Sequence, residues 1–261
     1  LQYADRVYQL PLGVVGVAIG VVLLPELARA LKSGHSVEAG SIQNRSIEFA
    51  LFLTLPAGVA LWAISEPIVR VLYERGAFSA ATTDTVAGAL AIFGLGLPAF
   101  VLIKCFTPGF FAREDTKTPM RFAAVSVVVN TGLALLLFPQ IGERGIATAE
   151  AVAGWTNAAL LYWTLHRRGL LAFDDGLMKR VPRLVFSALL MGAALYFASG
   201  MISDWIAPGT PILEKVGALL LLIVVSAAVY FGTAFLTGGA SLSMLRRNVE
   251  RSRNTPPVEP L

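Results

Sequence analysis

Cysteine occurs once in this 261-residue chain and histidine twice. A single cysteine builds no disulfide framework, and Cys105 lies in an apolar stretch with no second thiolate to share a metal. His35 and His166 fall in or beside expected loops, too few and too far apart for a metal cluster. Charge is scarce too: Asp, Glu, Lys and Arg make up 15% of the chain, where a soluble domain carries about 25%. No nucleophile or acid–base pair stands out, so the sequence assigns no catalytic residue, no metal and no cofactor. Nothing points to nucleic acid as a partner. What the chain has instead is apolar length. Hydrophobic residues are 56% and mean hydropathy is +0.68, the composition of an all-α polytopic membrane protein.

Charge-free runs bound the spans. They cover residues 7–25, 49–65, 85–103, 122–142, 145–165, 184–203 and 216–245, the fifth broken only by Glu150. A helix crosses a bilayer in about 20 residues, so the runs predict seven transmembrane helices. Seven spans alternate sides, and the basic residues then divide unevenly. One set of connections holds fifteen Lys and Arg, the other only Arg70, Arg75, Arg144 and Lys215. The positive-inside rule places the rich set in the cytoplasm. The first span therefore starts outside, and the C-terminus is cytoplasmic. The chain opens at or inside a helix, so it reads as a fragment of something longer.

The first span is the informative one. On a helix, Gln2, Asp5, Arg6 and Gln9 share a face at i, i+3, i+4, i+7. Gly13, Gly16 and Gly20 continue it as bare backbone. Pro11 lies inside the pattern and releases the Val7 carbonyl from its helical bond. A face with Arg, Asp and loose carbonyls is costly in lipid, so one reading turns it toward protein or a wet cavity that holds an anion or ion. The other is a capped helix end, with Asp5 and Arg6 at the headgroups. The connection at 30–45 is expected to hold a short amphipathic stretch. After the second span, Pro67 starts a short interfacial helix, with Val69, Leu72 and Tyr73 on the membrane and Arg70 and Glu74 in water.

The third span has Gly94, Gly96 and Pro98 in its middle, then Lys104, then Pro108 and Gly109. The two prolines break the hydrogen-bond ladder, and a span broken twice can bend. Lys104 either snorkels outward or faces the cavity and holds an anion. In the next connection Glu114 and Asp115 sit among Arg113, Lys117 and Arg121, with Thr116 or Thr118 as a helix cap and Pro119 following. This segment is either an ion-paired gate or hinge, centred on Arg113 and Asp115, or a plain solvated turn. Together with Pro11, Gly13 and Gly16, these are the candidate hinge positions.

The fourth span carries Ser126, Asn130 and Thr131. The fifth places Glu150, Gly154 and Asn157 on one stripe. The short link at 139–145 makes the two antiparallel neighbours. Glu150 either pairs with Arg144 or water near the surface, or forms a proton or cation site with Asn130 and Asn157. Residues 1–167 thus form five spans, 168–183 a basic cytoplasmic connection able to attract anionic headgroups, and 184–245 two more spans. In span six Ala188, Gly192 and Ser199 form a small-residue face. The tail 246–261 is basic, Pro-rich and expected to be disordered.

YADR at 3–6 followed by QLPLGVVGVAIGVVLLPELAR at 9–29 resembles the eighth transmembrane helix of the MurJ (MviN) family of lipid II flippases, within the MOP superfamily. ERGAF at 74–78 resembles a segment of that family at the same place. The long run GLPAFVLIKCFTPGFFAREDTKTP at 96–119 is the strongest likeness. The resemblance implies the last seven helices of a fourteen-helix flippase in the bacterial inner membrane. It also implies that Arg6 engages the pyrophosphate of lipid II, the peptidoglycan precursor, with Asp5, Gln9 and Lys104 as further substrate-binding candidates. Many members have Glu where this chain has Gln9. Some build a sodium site from an Asn and an Asp four residues apart on the corresponding fourth span. Here Asn130 is followed at that spacing by Ala134, which argues against such a site and leaves coupling to the membrane potential. Implied partners are lipid II, membrane lipids and the missing N-terminal half, with the lipid tail in a groove of the last two spans.

From the residues alone, a polar first helix, broken helices and matched polar stripes indicate a transporter of unknown substrate. A lipid-pyrophosphate flippase depends on Arg6. A cation-coupled drug or lipid-linked oligosaccharide transporter of the same superfamily depends on Glu150, and a non-transporting scaffold depends on neither.

Overall fold

The computed structural model describes residues 1–76, 78–207 and 209–239. They fold into α1 (Gln2–Lys32), α2 (Ser36–Ala63), α3 (Ser65–Tyr73), α4 (Ala80–Phe111), α5 (Lys117–Ile141), α6 (Glu143–Arg167), α7 (Asp175–Met201) and α8 (Ile212–Leu236), with a 3-10 turn at Ser203–Ile206. No strand occurs among the described residues. All helices but α3 are 25 to 32 residues long, and each of these seven falls on one of the charge-free runs. Five of them, α2, α4, α5, α7 and α8, hold stretches long and apolar enough to cross a membrane. The other two, α1 and α6, each carry a polar stripe. Residues 240–245 of the seventh run and the tail 246–261 lie outside the described residues.

Helical bonding continues past the apolar width, so the connections are shorter than the charge pattern implies. The expected connection at 30–45 contracts to residues 33–35, turned by Gly34 at φ 77°, and its amphipathic stretch becomes the start of α2. The link between α5 and α6 contracts to Gly142, at φ 58°. Within 168–183, Asp174 caps α7 by accepting the Leu177 N–H at 2.7 Å. Lys179, Arg180 and Arg183 therefore ride on a helix. In α3, Val69 and Val71 are buried against protein rather than laid on the membrane, and Arg70 pairs with Glu66 and Glu74 instead of facing water alone.

Helix α4 is the centre, packed by α1, α2, α3 and α6, while α7 and α8 pack on each other and reach the rest through α2 and α3. One apolar core joins α1, α2, α4 and α6 at the basic end, a second joins α1, α4 and α6 at the other end, and a third holds α7 and α8 to α2. Gly192 gives α7 its close approach, since a Cβ there would lie 2.6 Å from Val59 Cγ1 of α2.

Prolines inside these helices set two of the tightest contacts. Helix α4 runs unbroken through Pro98 and Pro108. Pro98 removes the N–H that would bond the Gly94 carbonyl, and that carbonyl lies against Gly58 of α2. A Cβ on Gly58 would sit 2.5 Å from the Gly94 oxygen, and a Cβ on Gly94 would sit 2.6 Å from the Gly58 oxygen. The two backbones touch with no side chain between them. In α2, Pro56 likewise frees the Phe52 carbonyl, and Tyr230 of α8 donates its hydroxyl to it at 2.8 Å. Tyr230 is fully buried. Tyr230→Phe leaves that acceptor unmet at a cost of about 1–3 kcal/mol. The expected result is a lower melting temperature for the purified full-length protein, with the same change at exposed Tyr196 leaving it unmoved.

Candidate functional site

The two sides of α1 differ sharply. Ala4, Val7, Tyr8, Val15 and Ile19 are buried in the bundle, while Gln2, Arg6, Gln9 and Gly13 are exposed. The polar stripe is thus an open face. Asp5 is half-buried and accepts a hydrogen bond from Gln9 Nε2 at 2.6 Å. That bond turns Asp5 to Gln9, one turn on, rather than to its neighbour Arg6, and Arg6 has no hydrogen bond or ion pair among the described residues. Pro11 is half-buried, and Gly13 has nothing within 4 Å of the space a Cβ would take. Gly16 is different. Lys104 of α4 lays its stem across it, with Cδ and Cε 2.6 and 2.7 Å from a would-be Cβ. Lys104 is exposed and, among the described residues, unpaired. Ten residues of helix separate Arg6 from Gly16, about 15 Å. Two unpaired cations therefore stand along α1, joined by glycine backbone. A depression of about 610 Å³ lies beside the first turn of α1, lined by Tyr3, Tyr73 and Phe78. Its one charged neighbour, Arg75, donates to the Val71 and Leu72 carbonyls.

The hinge candidates near the basic end form a clamp, wired differently from expectation. Asp115 does not pair with Arg113, Lys117 or Arg121. It accepts from Arg168 Nη1, at the end of α6, at 2.7 Å. It also caps α5, accepting from the Thr118 N–H at 3.0 Å and the Thr118 hydroxyl at 2.7 Å. Thr116 stands at the N-cap position but makes no side-chain bond there; the Asp115 carboxylate, one residue earlier, takes the free N–H instead. Arg113 donates to the Gly109 carbonyl at 2.6 Å, while Gly109 and Pro108 are buried, Gly109 against Gln43. Glu114 closes the turn in the left-handed region, at φ 62°. The Thr118 hydroxyl, then Arg168, then the Thr118 amide hold the Asp115 carboxyl down at about 2. Its stabilisation is present above the ordinary carboxylate value and is lost only as pH falls toward 2, so the clamp is constant at physiological pH. Asp115→Ala removes cap and tie together, about 0.5–2 kcal/mol, and speeds trypsin cleavage after Arg113 and Lys117 in membranes with that side accessible.

The polar stripes of α5 and α6 do not combine as a single network. Ser126 donates to the Ala153 carbonyl at 2.9 Å and sets the register. No hydrogen bond joins Asn130, Glu150 and Asn157 among the described residues. The Oδ1 atoms of Asn130 and Asn157 are buried without a partner. Glu150 does not pair with Arg144, which reaches Asp84 at 2.9 Å. Its partner is Tyr8 of α1, whose hydroxyl donates to Glu150 Oε1 at 3.2 Å. Three groups were not visible in the sequence reading: Tyr8, Arg168, and the Glu48–Arg180 pair, which ties α2 to α7 at 2.7 Å. Their partners lie 142, 53 and 132 residues away. The Lys and Arg excess near α7 was the one available signal. No group of three or more metal-ligating side chains occurs among the described residues. Helices α7 and α8 leave an open apolar surface, including Phe186, Leu189, Phe197, Leu220 and Val224.

Comparison with known proteins bears on this geometry. The family model described as lipid II flippase MurJ matches residues 1–217. The chain is 60% identical to a probable lipid II flippase MurJ of Rhizobium tropici, covering 98% of this chain and 48% of that protein. It is 32% identical to the lipid II flippase MurJ of Burkholderia cenocepacia, over 91% of this chain and 46% of that protein. A solved structure of lipid II flippase MurJ in an inward closed conformation aligns with a TM-score of 0.67 and 25% identity, covering 88% of this chain and 46% of that one. The chain spans about half the length of the curated relatives it matches. With a matching family model over most of its length and a helical fold shared with a solved member, the chain belongs to the lipid II flippase MurJ family.

Proposed function

We propose that this chain is the C-terminal half of a transporter that moves lipid II from the cytoplasmic to the outer leaflet for cell-wall synthesis. The reading is carried by Arg6, an unpaired guanidinium on the open face of α1. A planar guanidinium meets a pyrophosphate with paired, charge-assisted hydrogen bonds. Lys104 of α4, laid across Gly16, adds a second cation further along α1, Gln9 is held by Asp5, and the N-terminal half supplies the rest of the cavity. The apolar surface of α7 and α8 takes the lipid tail. The α4–α5 turn, clamped to α6 through Asp115, carries motion of α4 to the basic end as the lobes rock.

Orientation follows from charge: the end rich in Lys and Arg is cytoplasmic, in the bacterial inner membrane, and the C-terminus lies on that side. An inside-negative potential then favours outward movement of the anionic headgroup by roughly 2.3 kcal/mol per charge per 100 mV. The mechanism involves no covalent chemistry. The test is growth rescue of cells depleted of their lipid II flippase, with this chain joined to its natural N-terminal half. Arg6→Ala should give no rescue at normal protein level, and Arg6→Lys little, because a point charge lacks the planar fork. Full rescue by Arg6→Ala would make Arg6 a headgroup anchor and overturn the reading.

A further inference from the structure

Glu150 is the only carboxylate set within the apolar part of a span, on α6, and it has no cation. Between Arg144 and Tyr162 it is the only titratable residue of α6. Helix α4 carries none between Asp84 and Lys104, and α5 none after Arg121 to its end at Ile141. At this level α4 presents Phe93, Leu97 and Phe100. From α1 two groups face Glu150: Tyr8, which donates to it, and Asp5, near enough to act on it electrostatically. A carboxylate in a membrane span needs either a cation or a proton. The residues around Glu150 supply no cation.

The seam that holds it is thin. Helix α6 packs mainly on α4 and α5, and α1 on α4 and α2. Tyr8–Glu150 is the one hydrogen bond between α1 and α6 among the described residues. Tyr8 and Arg6 are two residues apart, about 200° around the helix at 100° per residue. So α1 carries an unpaired cation on its open face and the partner of the carboxylate on its packed face.

We propose that Glu150 is a proton-exchanging site whose bond to Tyr8 latches α1 to α6. Ionised, Glu150 accepts the Tyr8 hydroxyl in a charge-assisted bond, roughly twice as strong as a neutral one. While the seam is dry Glu150 keeps its proton, the bond to Tyr8 is the weaker neutral one, and α1 is free to move with Arg6 on its far face; when water enters, the proton leaves to it and the charge-assisted bond latches α1 to α6. The ligand of this site is the proton itself. The inference rests on the transport reading for its purpose but not for its chemistry.

Carbodiimide labelling of the full-length protein in membrane vesicles tests it, because the reagent modifies protonated carboxyls in apolar surroundings. The modified residue is located by fragmentation, which separates Glu150 from Asp5. Labelling of Glu150 should fall as pH rises from about 5 to about 9. Tyr8→Phe, which removes the donor to the ionised form, should raise labelling severalfold at fixed pH. Arg6→Ala should leave it unchanged, so failure of the flippase reading is visible separately. The pH profile of transport should flatten in Glu150→Gln. Absence of Glu150 labelling across the range, equal labelling in Tyr8→Phe, or an unaltered pH profile in Glu150→Gln would each overturn the proposal.

Discussion

Arg180→Ala will destabilise the folded protein by about 3 kcal/mol, the low end for a broken buried ion pair. The carboxylate of Glu48 is held between α2 and α7 with its side chain only 5% exposed, and Arg180 Nη1 meets both of its oxygens, at 2.7 and 3.0 Å. Removing the arginine strands a charge that water reaches poorly. The low end applies because Arg180 is itself 38% exposed. The measurement is thermal unfolding of the purified full-length protein. Adding Glu48→Gln to the Arg180→Ala variant should recover most of the loss, since the buried group is then neutral. If the double variant is as unstable as the single one, the loss comes from Arg180's packing and not from the unpaired carboxylate.

Gly94→Ala and Gly58→Ala should each cost about 1–3 kcal/mol, the range for overpacking. The new methyl in either case meets a backbone oxygen at 2.6 or 2.5 Å, and no side-chain rotamer can relieve that. The helices must separate, which opens the core between α2 and α4. Gly132→Ala is the control. Its Cβ would meet nothing within 4 Å, and alanine favours helix over glycine by up to about 1 kcal/mol. A lower melting temperature for the first two, with none for Gly132→Ala, is the expected pattern. Equal behaviour of all three would mean that α2 and α4 do not touch through bare backbone.

The architecture was legible because bilayer physics writes it plainly: each long helix follows a charge-free run, and the polar stripe of α1 does form a distinct open face. The ends of helices were less legible, since hydrophobicity stops before hydrogen bonding does, as at residues 33–35 and Gly142. The wiring was least legible. Asp115 had three cations nearby in sequence and chose Arg168, and Glu150 chose Tyr8 over Arg144 six residues away. Such choices depend on which helices are neighbours in space. Proline carries a further signal at α2: Pro56 leaves a free carbonyl at Phe52, and a tyrosine in another span is a natural donor for it.

The decisive measurement is lipid II translocation in vesicles containing the full-length protein, with Arg6→Ala and Arg6→Lys beside the unaltered protein. Losing a charge-assisted hydrogen bond of about 1.5–3 kcal/mol predicts at least about a tenfold slower initial rate for Arg6→Ala, with Arg6→Lys closer to alanine than to arginine. An Arg6→Ala protein that translocates lipid II at the unaltered rate would contradict the role assigned to the open face of α1.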